Sequence, residues 1–77
     1  MEPLPYGYKM GDEVCRTLVK WKGNTVDDHL LMEGLIYNTW VSNGEPHPRY
    51  WRLTGKGGRL LRAITANMMT YYLNNNW

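Results

Sequence analysis

Apolar residues in the first third of the chain recur at helical spacing. Asp12 is of a residue type that caps helix starts, and Glu13 adds a negative charge where the helix dipole favours one. The apolar positions that follow fit one face of a helix: Val14, Cys15, Leu18 and Val19. We therefore expect a first helix that starts at Asp12.

A second helix is predicted over residues 25–33, after a turn of only Gly23 and Asn24. Thr25 can cap its start and Gly34 can end it. Three apolar residues of this helix are expected to face inward: Val26, Leu30 and Leu31. Two helices joined by a short, glycine-containing turn form a helix-turn-helix unit.

Residues 35–53 have the composition of a β-hairpin. Segments 35–41 and 49–53 are rich in β-branched and aromatic residues, and the loop predicted between them contains both Pro46 and Pro48. Side chains alternate along a strand, so Tyr50 and Arg52 are expected to point outward if Leu53 faces the core.

A third helix is predicted from about Gly58 to Leu73, with Thr54 ahead of it as a capping residue. Its expected packing residues are Leu60, Leu61, Ile64, Met68, Tyr71 and Tyr72. The glycine-rich stretch 54–58 is compatible with a nest of N–H groups for a phosphate, and also with a flexible joint between strand and helix.

Two short motifs resemble winged helix-turn-helix DNA-binding domains, especially small bacterial regulators similar to the MarR and PadR families. They are Gly34-Leu35-Ile36 and Leu53-Thr54-Gly55-Lys56-Gly57, and the resemblance covers well under half of the chain. It implies an α+β fold with three helices and a two-stranded β-hairpin wing, in which the second helix is the recognition helix. Residues 1–10 are then an N-terminal arm and residues 11–77 the winged-helix-like domain.

The length of the chain and the distribution of its charge both suggest binding partners. A chain of 77 residues forms one domain with a marginal core, which a second copy paired through the C-terminal helix would supplement. Residues 1–48 hold four basic residues and all seven acids, whereas residues 49–77 hold five basic residues and no acid. A positive second half attracts polyanions, or an acidic protein surface.

Several classes of function are not expected. Cys15 is the one cysteine, so no intrachain disulfide can form, and the chain lacks a leader or an apolar run of the roughly 20 residues that span a membrane. We therefore expect a cytoplasmic protein. Asp28, His29 and Glu33 lack a further cysteine or histidine nearby, so neither a metal nor another cofactor is expected. No catalytic constellation is recognisable, and an enzyme is not predicted.

The leading hypothesis is a small regulator, of transcription or of a mobile element, that binds double-stranded DNA as a homodimer. Basic side chains beside an aromatic ring suit a phosphate backbone. We expect phosphate contacts from Arg49, Arg52, Lys56 and Arg59, with Tyr50 bracing the wing. We expect Asn24, Thr25 and His29 to approach the groove.

A protein partner is the alternative. Asp27 and Asp28 open the expected recognition helix and would be repelled by phosphates. A small phage-type protein that occludes a host nucleic-acid-processing protein would tolerate these charges. The aromatic residues expected at the surface favour this alternative: Trp40, Trp51 and Trp77.

Overall fold

A computed structural model describes residues 3–75 and, up to residue 69, their side chains. This part of the chain is a small α+β domain with three α-helices and two small antiparallel sheets. The packing predicted for Tyr71 and Tyr72 and the exposure predicted for Trp77 lie outside the described side chains. The elements are α1 (Glu13–Lys20), α2 (Asp28–Met32), β1 (Ile36–Asn38), β2 (Val41–Ser42), β3 (Glu45–Pro46), β4 (Trp51–Leu53) and α3 (Gly55–Asn75).

The core lies where the helices meet the first sheet. Each element except β2 and β3 contributes a buried apolar side chain, and the N-terminal segment adds Leu4. The most deeply buried residues are Leu18, Leu30, Leu35, Ile36, Leu60 and Ile64. Burying a leucine or isoleucine of this kind contributes about 1.5–3 kcal/mol relative to leaving it exposed.

Helix α1 begins where the sequence predicts, although its cap differs. Asp12 occupies the capping position, but its carboxylate accepts from the backbone N–H of Lys9 at 2.9 Å and makes no bond to the helix. Cys15 and Leu18 are buried as expected, whereas Val19 is exposed at the edge of the apolar stripe.

Helix α2 is shorter than predicted. The cap is Asp27, whose carboxylate accepts from the N–H of Leu30 at 3.1 Å, and not Thr25. The indole N–H of Trp21 donates to the carbonyl of Thr25 at 2.6 Å, which holds Thr25 outside the helix. Leu30 is buried, whereas Val26 and Leu31 are 52% and 41% exposed, so the inward orientation predicted for these two residues is wrong.

A Schellman motif ends α2 and leads directly into the sheet. The N–H of Gly34 donates to the carbonyl of Leu31, and the N–H of Leu35 donates to that of Leu30. Leu35 then accepts at its own carbonyl from the N–H of Thr54, so the chain after α2 is joined to the chain before α3.

The hairpin consists of two separate ladders. In the inner sheet, β1 pairs with β4 and Tyr37 lies opposite Arg52; in the outer sheet, β2 pairs with β3 through a turn at Asn43 and Gly44. Pro46 is part of β3 and not of the loop, where it was predicted; its pairing partner is Val41. Because both central turn residues have positive φ, the Asn-Gly pair is the type expected for a two-residue hairpin turn.

Helix α3 starts at Gly55, three residues earlier than predicted. The Thr54 hydroxyl accepts from the N–H of Gly57 at 3.0 Å, as the predicted cap requires, and donates to the carbonyl of Gly34 at 2.6 Å. Gly57 is buried, and a Cβ there would overlap the carbonyl oxygen of Leu35. The glycine-rich stretch is therefore a packed first turn of the helix and not a loose joint.

No helix within residues 3–75 combines the length and apolar character that crossing a membrane requires.

Candidate functional site

The outer part of the hairpin, residues 39–50, is exposed at every position; we call it the hairpin tip. It contains three rings, of which Tyr50 contacts both Trp40 and His47; we call these three residues the ring cluster. The Trp40 and Tyr50 rings are stacked with centroids 5.6 Å apart and an interplanar angle of 21°. The His47 ring is tilted against Tyr50 with centroids 4.5 Å apart. Large apolar surface is thus held outside the core.

Hydrogen bonds fix the backbone beneath the ring cluster. The two ladders are separated by two residues on the first strand and four on the second, so regular pairing is interrupted there. The Asn38 side chain bridges the gap, because its Oδ1 accepts from the N–H of Trp40 at 2.9 Å and its Nδ2 donates to the carbonyl of His47 at 2.7 Å. Thr39 donates to the Tyr50 carbonyl from both its N–H and its hydroxyl.

Two of the predicted phosphate ligands accompany the rings. Arg49 is exposed in the tip, and its N–H donates to Nδ1 of His47 at 3.2 Å. Arg52 lies on the exposed face of the inner sheet, opposite Tyr37, and its Nη1 donates to the Trp51 carbonyl at 2.8 Å. Arg52 faces outward as predicted, whereas Trp51 is buried in the core, so the surface exposure expected for this residue is wrong.

Lys56 is engaged within the domain. Its ammonium donates to the carbonyl of Glu33 at 2.8 Å, at the C-terminal end of α2, where a cation is favoured. The same nitrogen lies 5.6 Å from the ring centroid of Tyr6 and 5.3 Å from that of Tyr8, within the range of a cation–π contact. Lys56 therefore joins α3, the end of α2 and the N-terminal segment.

Arg59 and Arg62 lie on the exposed side of the first half of α3. With Gly55 and Gly58 they line a shallow groove on the side of α3 away from the buried Leu60. The N–H of Gly57 is already bonded to Thr54, so it is not free to bind a phosphate.

The residues expected to approach a DNA groove lie around the start of α2. Asn24 and Thr25 are exposed but precede the helix, and His29 is exposed in its first turn. Asp28 is also exposed, whereas the Asp27 carboxylate is occupied in capping.

The predicted site residues thus fall on three elements: the start of α2, the hairpin, and the start of α3. Of these residues, Tyr50 and Arg49 are joined through a shared neighbour: each contacts the His47 side chain.

Sequence reasoning left Trp40 and His47 out of the site. A signal for them exists, since the two residues stand symmetrically about the Asn43-Gly44 turn, and symmetric positions in a two-residue hairpin face each other. The N–H of His47 indeed donates to the carbonyl of Trp40 at 2.9 Å.

Other chemistry is sparse in the described part of the chain. Residues 3–75 contain no group of three side chains that could hold a metal ion. Cys15 is buried, and burial, together with the negative charge of Asp12, raises the pKa of its thiol above the ordinary value of 9.0. A thiol of this kind is a poor nucleophile at neutral pH.

Comparisons with protein-family models, with curated proteins and with solved structures found no match.

Proposed function

We propose that this chain is a small DNA-binding regulator that contacts its site mainly through the hairpin. The supporting observation is the exposed ring cluster, with Arg49 exposed in the same tip and Arg52 on the exposed face of the inner sheet, two residues after Tyr50. Glu45 is the one acid in residues 34–77, so the second half of the chain has little negative charge to repel a phosphate backbone.

In this proposal the domain is a winged helix-turn-helix and the hairpin is its wing. The chain order supports it, since α1 and α2 contact each other and are followed by an antiparallel hairpin and then by α3. Arg49, Arg52 and Arg59 hold phosphates, and Tyr50 braces the wing. Lys56 takes a positioning role instead, because its ammonium is already bonded to the carbonyl of Glu33.

Asn24, Thr25 and His29 approach the DNA only at the edge of the contact. Helix α2 has five residues, which is little more than one turn, and Asp28 is exposed in that turn. A short helix with an exposed carboxylate contributes less to phosphate binding than the basic hairpin does.

A homodimer through α3 completes the proposal. This helix has 21 residues and is the longest helix of the described residues. One flank of it forms an open, mainly apolar groove lined by Gly58, Leu61, Arg62, Thr65, Ala66 and Met69. A second copy seated there would bury this flank and supplement a small core.

Binding to a short duplex at two salt concentrations tests the function. The double variant Arg49→Ala/Arg52→Ala is expected to bind about tenfold more weakly, with the slope of log K against log salt reduced by about two, because two phosphate contacts are lost. The matched control is Lys20→Ala/Lys22→Ala, which removes the same charge from the α1 region and is expected to bind like the wild type. Salt-insensitive wild-type binding, or equal losses in both double variants, would refute the assignment.

The second candidate is a protein-binding inhibitor, which the exposed acids around α2 favour. Asp28 and Glu33 are both exposed and would suit a basic protein surface. Affinity capture from a nuclease-treated lysate separates the two functions. A stoichiometric protein partner that survives nuclease and is lost in Asp28→Asn/Glu33→Gln supports the second candidate.

A further inference from the structure

We propose that the ring cluster is a stacking site for unpaired nucleobases. The inference rests on the proposed nucleic-acid binding. It specifies the ligand as nucleic acid with unpaired bases, either DNA with locally opened base pairs or a single strand. Phosphates would be held by the adjacent arginines, and an exposed base would lie on the free face of the Trp40 ring.

The cluster has the geometry of a stacking platform. Trp40 remains 57% exposed although one side of its ring is stacked on Tyr50, and Tyr50 itself remains 39% exposed. With an interplanar angle of 21° and centroids 5.6 Å apart, the two rings form a nearly parallel, offset stack, to which a third planar group can be added. A nucleobase is such a group, and every base has a π-face.

The platform is held in place before any ligand arrives. Asn38 bonds to both sides of the interruption in the hairpin, next to Trp40 and His47, and Thr39 bonds twice to Tyr50. Binding therefore does not require the backbone under the rings to be ordered first, which lowers its entropic cost.

The surroundings favour stacking over hydrogen-bonded reading of a duplex. The backbone N–H groups of Thr39, Trp40, His47 and Tyr50 all donate within the hairpin. These N–H groups are therefore not free to bind a base edge. The surface also presents ring faces and the arginines Arg49 and Arg52, with Glu45 as its one acid, and rings combined with cations are typical of sites that bind unpaired strands with little sequence preference. In a duplex the base faces are covered by their neighbours, so the rings gain a partner only where pairing is broken.

Fluorescence anisotropy with three labelled probes tests this inference. The probes are a perfect duplex, the same duplex with a short central run of mismatched thymines, and the single strand as DNA or RNA. The wild type is expected to bind the mismatched duplex about tenfold more tightly than the perfect one, in line with the measured worth of base–aromatic stacking. The DNA and RNA single strands show which backbone the site accepts.

Variants separate stacking from charge. Trp40→Ala is expected to lose the preference, so that its affinities for the mismatched and the perfect duplex become about equal, and Trp40→Phe is expected to keep most of the preference. Val41→Ala is the matched control, since Val41 is 62% exposed in the same tip but has no ring. Far-UV circular dichroism and thermal unfolding establish that each variant is folded.

Each outcome has one meaning. Equal wild-type affinity for perfect and mismatched duplexes overturns the stacking site and leaves the proposed function standing. A preference for the mismatched duplex that survives in Trp40→Ala also overturns it, because the rings are then not responsible. Binding to none of the probes refutes the proposed function and the stacking site together.

Discussion

The two ends of the hairpin belong to one ribbon but are stabilised in different ways. At the inner sheet, Ile36 is fully buried and Trp51 is only 5% exposed, packed among residues of the core cluster. At the tip, Trp40 is 57% exposed, and its ring stacks on that of Tyr50. Two tryptophans eleven residues apart in the same hairpin thus have opposite environments.

This difference indicates where the sequence is constrained by folding and where it is free to serve binding. The inner sheet owes its stability to apolar burial against α2 and α3, and burial of this kind contributes most of the folding free energy of a small domain. The tip depends on local hydrogen bonds and ring contacts, each of modest net value. Substitutions at the tip should therefore change binding without unfolding the domain.

The largest expected effect is that of Trp51→Ala, which should lower the free energy of unfolding by about 4 kcal/mol because it leaves a cavity in the core. For a domain of this size such a loss leaves a large unfolded fraction at room temperature. Trp40→Ala should change the same quantity by no more than about 1 kcal/mol, since Trp40 is mainly exposed. Urea unfolding followed by far-UV circular dichroism measures both. Equal losses in the two variants would contradict the division between inner sheet and tip.

The next effect concerns the contact between α3 and Leu35, in the segment that links α2 to β1. Gly57→Ala should destabilise the domain by about 3 kcal/mol, because its Cβ would overlap the carbonyl oxygen of Leu35 and lie 2.9 Å from the carbonyl carbon. Gly58→Ala is the matched control, as nothing lies within 4 Å of a Cβ there. Alanine is the better helix former, so Gly58→Ala should stabilise the domain by about 0.5–1 kcal/mol.

Thermal unfolding of the two glycine variants measures these changes. Opposite shifts of Tm are expected, downward for Gly57→Ala and upward for Gly58→Ala. A Gly57→Ala variant as stable as the wild type would mean that α3 and the Leu35 segment are not packed at backbone distance.

The smallest expected effect is a pH dependence of the folding stability that is due to the Cys15 thiol in the core. Burial raises the pKa of the Cys15 thiol, so the folded state keeps its proton at a pH where the unfolded state loses it. The contribution of the thiol to stability is fully present below pH 9.0, the ordinary pKa, and is lost as pH rises through the folded-state pKa. Comparing the stability of wild type and Cys15→Ala from pH 7 to 10 isolates this loss. Trp40→Ala should show the wild-type pH dependence; if it removes that dependence, tip and core are coupled.

Elements governed by local chemistry could be predicted from the sequence. The start of α1, the Thr54 cap and the outward orientation of Arg52 all follow from residue type and alternation, and the structure has each of them. Residues with several capping candidates were harder to place. Thr25 and Asp27 can both cap a helix. In the structure Asp27 is the cap, while the Thr25 carbonyl accepts from the indole of Trp21, a contact that residue types do not reveal.

The candidate site was predictable only in part. Alternation and charge identify Arg49, Tyr50 and Arg52, but the contribution of Trp40 and His47 depends on the interruption of the ladder that Asn38 bridges. The inward engagement of Lys56 depends on a carbonyl 23 residues away in the chain. Contacts of this range follow from the fold as a whole and not from local pattern.

The close approach at Gly57 has a mechanical consequence. Since main chain meets main chain at this point, no flexible side chain stands between the long helix and the segment that leads into the hairpin, and a rotation of one must carry the other with it. If two copies pair along α3, the separation and tilt of their two tips are then set by the pairing angle of the helices. The dimer would then hold its two tips at one fixed distance, so both tips could contact the same nucleic-acid strand only at sites with the matching spacing.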